Sequence, residues 1–196
     1  MKNVTDKRVI RTKKSIRGAF AALYSEMPFE DITVTDVARR ADINRKTFYN
    51  YYAGVHSIVE EAEADLFTRL DDSFARVDIL SDPASAVERL GAALLDDADF
   101  FGSVFNSRKN TEHTTRFFLS ATAKIRERIP DNAGIPPEKL DLLTEFVAAG
   151  LIAGYRRWFV SDRRRTPEEV TKDLGTLAAG AVNAFWKNGE IAAECD

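Results

Sequence analysis

An all-α fold is predicted: a three-helix head at the N-terminus, a helical body behind it, and a homodimer formed through the last two long helices. Three observations predict it. Apolar residues recur at three- and four-residue spacing along most of the chain, the period of a helix face. No segment alternates apolar and polar residues in the period of two that marks a strand. Helix-start signals precede the periodic runs, with Thr, Asn, Ser or Asp at the cap and Pro in the first turn. At 196 residues the chain is long enough for a small head and a larger body.

The first helix spans about 7–26. Ile16, Phe20, Leu23, Tyr24 and Met27 make its apolar stripe. Its N-terminal half is basic, and Lys13, Lys14 and Arg17 are expected to contact phosphates beside whatever the head reads. Phe29 and Ile32 lead into the run TVTDVARRADINRKTFYNYY at 33–52. Thr33 caps a second helix, and Asp36 three residues later completes a capping box. Val34, Val37, Ala38 and Ala41 give that helix one apolar face. Asp42 falls where the chain must turn, and Asp tolerates a left-handed backbone. Ile43 is expected to plug the core and Asn44 to cap a third helix. Phe48 and Tyr52, four apart, anchor it. Lys46 and Asn50 then point outward, with Thr47 and Tyr49 on the flanks. A helix offering Lys, Asn, Thr and Tyr to solvent suits base edges and the phosphates beside them, so the pair is a helix-turn-helix.

The run FEDITVTDVARRADINRKTFYNYY resembles the N-terminal domain of TetR-family transcriptional regulators, with a match over roughly residues 7–66. The resemblance implies an all-helical homodimer, a DNA-binding domain at 1–54 and an effector-binding and dimerisation domain at 55–196. Residue by residue it implies that Thr33 caps the second helix, that Thr35 lies near the DNA backbone, and that Asn44, Arg45, Lys46, Thr47, Tyr49, Asn50 and Tyr51 belong to the recognition helix. Two departures stand out. The family often has Gly where this chain has Lys46, which adds a cation to the reading face. It usually has Lys where Val55 stands, and AGVH at 53–56 offers only His56 and backbone N–H groups for that phosphate contact.

The body reads as further helices. One continues from the head over about 55–77, with Ile58, Ala62, Leu66 and Leu70 on one face. SDPAS at 81–85 starts the next, capped by Ser81 or Asp82. Residues 96–106 form a break or a short helix, and 110–129 a helix stopped by Pro130. Long helices over 136–160 and 167–188 follow, joined by SDRRRT, with Thr166 as cap and Glu169 as its box partner. Small residues crowd these last two helices although Gly in a helix costs about 1 kcal/mol against Ala. Gly150, Leu151, Gly154, Leu174, Leu177 and Ala181 are therefore expected at a dimer interface, with an ordinary intrachain helix pair as the competing reading.

Phe100, Phe101, Phe105, Phe117, Phe118, Phe146, Tyr155, Trp158 and Phe159 form an aromatic group in the body. Pockets are mostly apolar with a few polar groups. Phe101, Phe105, His113, Phe117, Tyr155 and Trp158 are thus candidates for a small apolar or aromatic effector, with plain core filling as the competing role.

Charge is unevenly placed. Residues 1–52 hold 11 Lys and Arg against 6 Asp and Glu, a net of +5, and residues 53–196 hold 17 against 25, a net of −8. A basic end on an acidic protein fits a reader of double-stranded DNA that confines nucleic acid to that end. The charged N-terminus lacks the apolar core of a secretory leader, and no apolar run reaches membrane-spanning length. A cytoplasmic protein without membrane contact is expected, and the one cysteine, Cys195, fits a reducing compartment. Two histidines and one tail cysteine do not make the three or four ligands of a zinc site. No nucleophile–base pair or phosphate loop is present, so neither metal, cofactor nor catalytic residue is expected. The sequence thus predicts a repressor of TetR type, released by an effector and bound to a near-palindromic operator. The alternative is a regulator of the same fold whose body binds a partner protein, because its tail loosely resembles the branch that includes the dihydroxyacetone kinase activator.

Overall fold

In the computed structural model residues 3–74, 77–106, 111–130, 134–162 and 164–193 are described, with side chains over 7–74, 77–105, 115–130, 134–162 and 164–185. Among them are nine α-helices and no strand. They are α1 (Asn3–Glu26), α2 (Val34–Arg40), α3 (Arg45–Tyr49), α4 (His56–Phe74), α5 (Pro83–Leu95), α6 (Ala98–Asn106), α7 (Thr111–Glu127), α8 (Pro137–Val160) and α9 (Pro167–Ala193). A 3-10 turn at Phe29–Asp31 joins α1 to α2.

Two compact units divide the chain. The first comprises Met1–Asp65 and Asp97–His113, hence α1–α3, the start of α4, and α6. The expected stripe of α1 is inside: Ile16, Phe20, Leu23 and Tyr24 are buried. Phe20 is its hub, with ring centroids of Tyr24, Phe100 and Phe29 at 5.3, 5.9 and 6.0 Å. Burying a ring of this size contributes about 1.5–3 kcal/mol. The segment at 96–106, open between break and short helix, is the helix α6, and it packs along α1.

The second unit comprises Leu66–Asp96 and Thr114–Asp196, in which α9 packs against both α5 and α8. Leu80, Ile129, Ile135, Leu140, Leu143 and Val182 form one core cluster, with Ala181 and Phe185 against it. The expected caps are present. Asp82 accepts the Ser85 N–H at 3.1 Å. Thr166 accepts the Glu169 N–H at 3.2 Å, and Glu169 accepts the Thr166 N–H at 2.9 Å. Close approach needs glycine here: a Cβ on Gly91 would lie 2.6 Å from Thr171 Oγ1 and 2.7 Å from the Tyr155 hydroxyl. Asp71 near the end of α4 pairs with Arg128, whose guanidinium also lies 5.2 Å from the Phe74 ring centroid.

Candidate nucleic-acid interface

The outward helix is held from both ends. Thr33 accepts the Asp36 N–H at 3.2 Å and donates its own N–H to the Asp36 carboxylate at 3.2 Å, a reciprocal cap on α2. The Thr33 hydroxyl also donates to the Asp36 carboxylate at 2.5 Å, and this bond first, the Thr33 N–H bond second, hold the Asp36 carboxyl below its ordinary range. Asp42, with φ 54°, turns the chain in the left-handed region, the one non-glycine residue described there. Asn44 then caps α3 by accepting the Thr47 N–H at 2.7 Å. Phe48 is fully buried and Tyr52 nearly so, and their ring centroids lie 5.8 Å apart. Ile43 is half-buried, less of a plug than its sequence context suggests.

With that anchorage Arg45, Lys46, Tyr49 and Asn50 are exposed, while Thr47 and Tyr51 are half-buried. Thr33 and Thr35 at the start of α2, and Lys14 on α1, are exposed as well. Tyr49 keeps half its surface in solvent although its ring meets the Phe48 edge at 5.7 Å. Where the family usually has Lys, Val55 is buried, and the exposed residue is His56, its ring 4.5 Å from that of Phe29.

Lys13 and Arg17, expected at phosphates, have carboxylate partners within their own unit. Lys13 Nζ binds Glu61 of α4 and lies 5.8 Å from the Tyr52 ring centroid. Arg17, whose side chain keeps 17% of its exposure, pairs with Asp65 at 2.5 Å, Glu61 at 3.4 Å and Asp97 at 3.6 Å. Both cations are spent on carboxylates of their own unit. The Tyr52 hydroxyl also donates to Glu61. Burial would raise the Glu61 pKa, but hydrogen bonds from Lys13 and Tyr52 and the nearby cationic charge hold it below its ordinary value. Burial, then the bond to Glu61 and its charge, push the Tyr52 hydroxyl up, so it stays a donor. Glu61 and Asp65 were not singled out in the sequence. A signal existed: Lys13 and Arg17 on α1, like Glu61 and Asp65 on α4, are spaced i, i+4 with opposite sign.

Within the second unit the expected dimer residues separate into two groups. Leu151 and Leu174 are buried in the lone chain, and a Cβ on Gly154 would collide with the Leu174 side chain. Gly154 and Leu174 thus meet in the internal α8–α9 contact, and Ala181 packs on the internal cluster. Gly150 and Leu177 are exposed, Leu177 at 69%, and Leu142 and Phe146 join them at 59% and 67%. Leu142, Phe146, Ala149, Gly150 and Ala153 form a second stripe along α8, all exposed, at i, i+4, i+7, i+8 and i+11.

The aromatic candidates are also divided. Phe101 and Phe105 are buried in the first unit, their centroids 6.4 Å apart, in a chain of rings that runs through Phe100 to Phe20. Phe117 stacks on Phe67 at 5.8 Å in the second. There the Tyr155 hydroxyl meets Thr171 Oγ1 at 3.1 Å and the Val87 carbonyl at 3.4 Å, and Trp158 donates to the Arg165 carbonyl at 3.0 Å. Phe146, grouped with them in the sequence, is on the surface. The side chain of His113 lies outside the described ones. No described helix is long and apolar enough to cross a membrane. Among the described residues no three or more His, Cys, Asp or Glu gather as a metal site.

Comparison with known proteins agrees with this geometry. Residues 81–180, half of the chain, match the family model of the TetR-type transcriptional regulator C-terminal region. An uncharacterised HTH-type transcriptional regulator of Bacillus subtilis (strain 168), YxbF, is 34% identical over 179 residues, or 89% of this chain. The chain spans about half, 46%, of that relative's length. A TetR-family regulator from Streptomyces coelicolor shares the fold at a TM-score of 0.61 and 16% identity, over 92% of this chain and 85% of that one. The dihydroxyacetone kinase operon activator DhaS does so at 0.58 and 20% identity, over 89% and 98%. A capped, outward-facing helix in a helix-turn-helix, joined to a body that matches the family's C-terminal region, has one reading: the chain belongs to the TetR family of transcriptional regulators.

Proposed function

We propose that the chain is a DNA-binding repressor that reads a near-palindromic operator as a homodimer and releases it when a small apolar or aromatic effector binds. Residues 1–54 carry the reading and 55–196 the effector and dimer functions. One observation carries the proposal: Arg45, Lys46 and Tyr49, with Asn50 at the C-terminal cap, are all exposed on a helix whose only buried residue is Phe48. Such side chains can reach base edges, and the exposed Lys14, Thr33 and Thr35 are available to phosphates. The dimer supplies the second reading helix, at a major-groove site about 34 Å away or somewhat more. Leu142, Phe146, Gly150 and Leu177 are the surface that a second copy would cover, and exposed apolar patches of this kind mark interaction sites.

Selection of bound duplexes from a randomised pool tests the reading. An inverted repeat is expected. Lys46→Ala and Tyr49→Ala should each cost about 1–3 kcal/mol on the selected duplex, with unchanged melting. Unaltered affinity in both would remove α3 from the reading role. Native mass spectrometry of the purified protein tests the effector. A retained small molecule that also releases DNA supports it, whereas a stably associated second protein would establish the partner-protein alternative. Tenfold release needs about 1.4 kcal/mol of coupling.

A further inference from the structure

We infer that Glu61 is the positioning residue of the reading helix: its carboxylate gathers the Tyr52 hydroxyl, Lys13 and Arg17 into a latch that fixes α3 against α1 and α4. The inference deepens the DNA-reading role proposed above and rests on it.

A helix of five residues cannot hold its own orientation, because a single turn of helix is costly to form and has few internal bonds. Its direction must come from what surrounds it. On the N-terminal side that is the Asn44 cap. Within the helix it is Phe48, in contact with the Tyr52 ring. On the C-terminal side the chain passes through Tyr52, which is 3% exposed and whose hydroxyl is therefore withdrawn from water. A buried hydroxyl without an acceptor costs free energy, so its partner dictates where the ring sits. That partner is Glu61, one turn into α4. Glu61 in turn receives Lys13, whose ammonium also stands over the Tyr52 ring, and Arg17. Arg17 extends the set to Asp65 and to Asp97 beside the start of α6. Five side chains from α1, α4 and the two connections thus share protons and charge around one carboxylate, and hydrogen bonds to ionised groups are the strong ones.

Electrostatics and positioning predict opposite outcomes here. Glu61 places a negative charge in a head that binds a polyanion. Removing it should strengthen DNA binding if charge alone matters. It should weaken binding if Glu61 orients α3, because a loose helix must be ordered again in the complex. The salt dependence separates the roles further. A lost phosphate contact lowers the slope of log affinity against log salt by about one, whereas a lost positioning contact leaves the slope unchanged.

The experiment uses the full chain and the duplex that wild type selects from a randomised pool, at temperatures well below each variant's Tm. Glu61→Leu and Tyr52→Phe should each bind about tenfold more weakly with the wild-type salt slope, and Glu61→Gln, which still accepts hydrogen bonds, should recover part of the loss. Lys13→Gln should also bind more weakly at constant slope. If Glu61→Leu does not fold, Tyr52→Phe, which removes a single oxygen and no charge, carries the test. Tighter binding by Glu61→Leu, wild-type affinity in Tyr52→Phe, or a slope reduced by about one in Lys13→Gln would overturn the latch and leave the DNA-reading role standing. A wild type that selects no sequence would overturn that role and the latch with it.

Discussion

The side-chain oxygen of Asn44 accepts the Thr47 N–H at 2.7 Å, and this bond begins a helix that ends only five residues later at Tyr49. A cap contributes more, proportionally, to so short a helix than to a long one. Asn44→Ala should cost about 1 kcal/mol of stability, and Asn44→Asp much less. Urea unfolding measures both. Equal stability of Asn44→Ala and wild type would mean that Phe48 alone holds the helix.

The Thr33 hydroxyl and the Thr33 N–H both donate to the Asp36 carboxylate and lower its pKa. A carboxyl whose folded pKa is depressed stabilises the protein fully above its unfolded pKa, near ~3.9, and this contribution is lost as pH falls through the lower folded value. The Tm gap between wild type and Asp36→Asn should therefore be full at neutral pH and close toward the acid end. A gap that widens with acid would contradict the assignment.

Lys14 is exposed, whereas Lys13 next to it is bound to Glu61. Lys14→Gln should weaken binding to every DNA sequence by a similar factor and lower the salt slope by about one. Fluorescence anisotropy across a salt series, on a selected and a scrambled duplex, reads both quantities. A loss confined to the selected duplex would make Lys14 a base contact.

Gly150 and Gly154 lie one turn apart on α8, and their environments call for different outcomes. Nothing lies near a Cβ built on Gly150, whereas one on Gly154 would strike Leu174. Gly154→Leu should overpack the internal contact and cost about 1–3 kcal/mol of stability. Gly150→Leu, Phe146→Glu and Leu177→Glu should leave the fold intact and drive the protein toward monomer in sedimentation. A wild type that sediments as a monomer at micromolar concentration would end the dimer proposal.

The helices were legible because their signals are local. Capping boxes at Thr33–Asp36 and Thr166–Glu169, the left-handed Asp42 and the stripe of α1 each depend on residues within a turn or two of one another. The outward direction of Lys46 and Asn50 was legible for the same reason, since Phe48 and Tyr52 fix which side faces in; of the two flanking residues Tyr49 is exposed and Thr47 half-buried. What sequence did not disclose is pairing across the fold. Lys13 and Arg17 read as free cations because their partners Glu61 and Asp65 are 48 positions away. For Gly154 a second copy and an intrachain helix both fitted, because nothing local says that Leu174 packs against it. Leu142 and Phe146 lay hidden beside the stronger stripe of Leu140, Leu143 and Leu151, which is the internal one.

The two cations held by Glu61 and Asp65 alter how such a protein would search a chromosome. Affinity for random DNA comes almost wholly from phosphate neutralisation, and a genome presents ~10⁶ or more competing stretches. A DNA-reading head that pairs Lys13 and Arg17 with its own carboxylates would forgo some sequence-independent attraction while Lys46 and Tyr49 stay exposed. If the proposed function holds, residence on wrong sequences would shorten, the ratio of specific to random binding would rise, and fewer copies per cell would suffice to keep a single operator occupied.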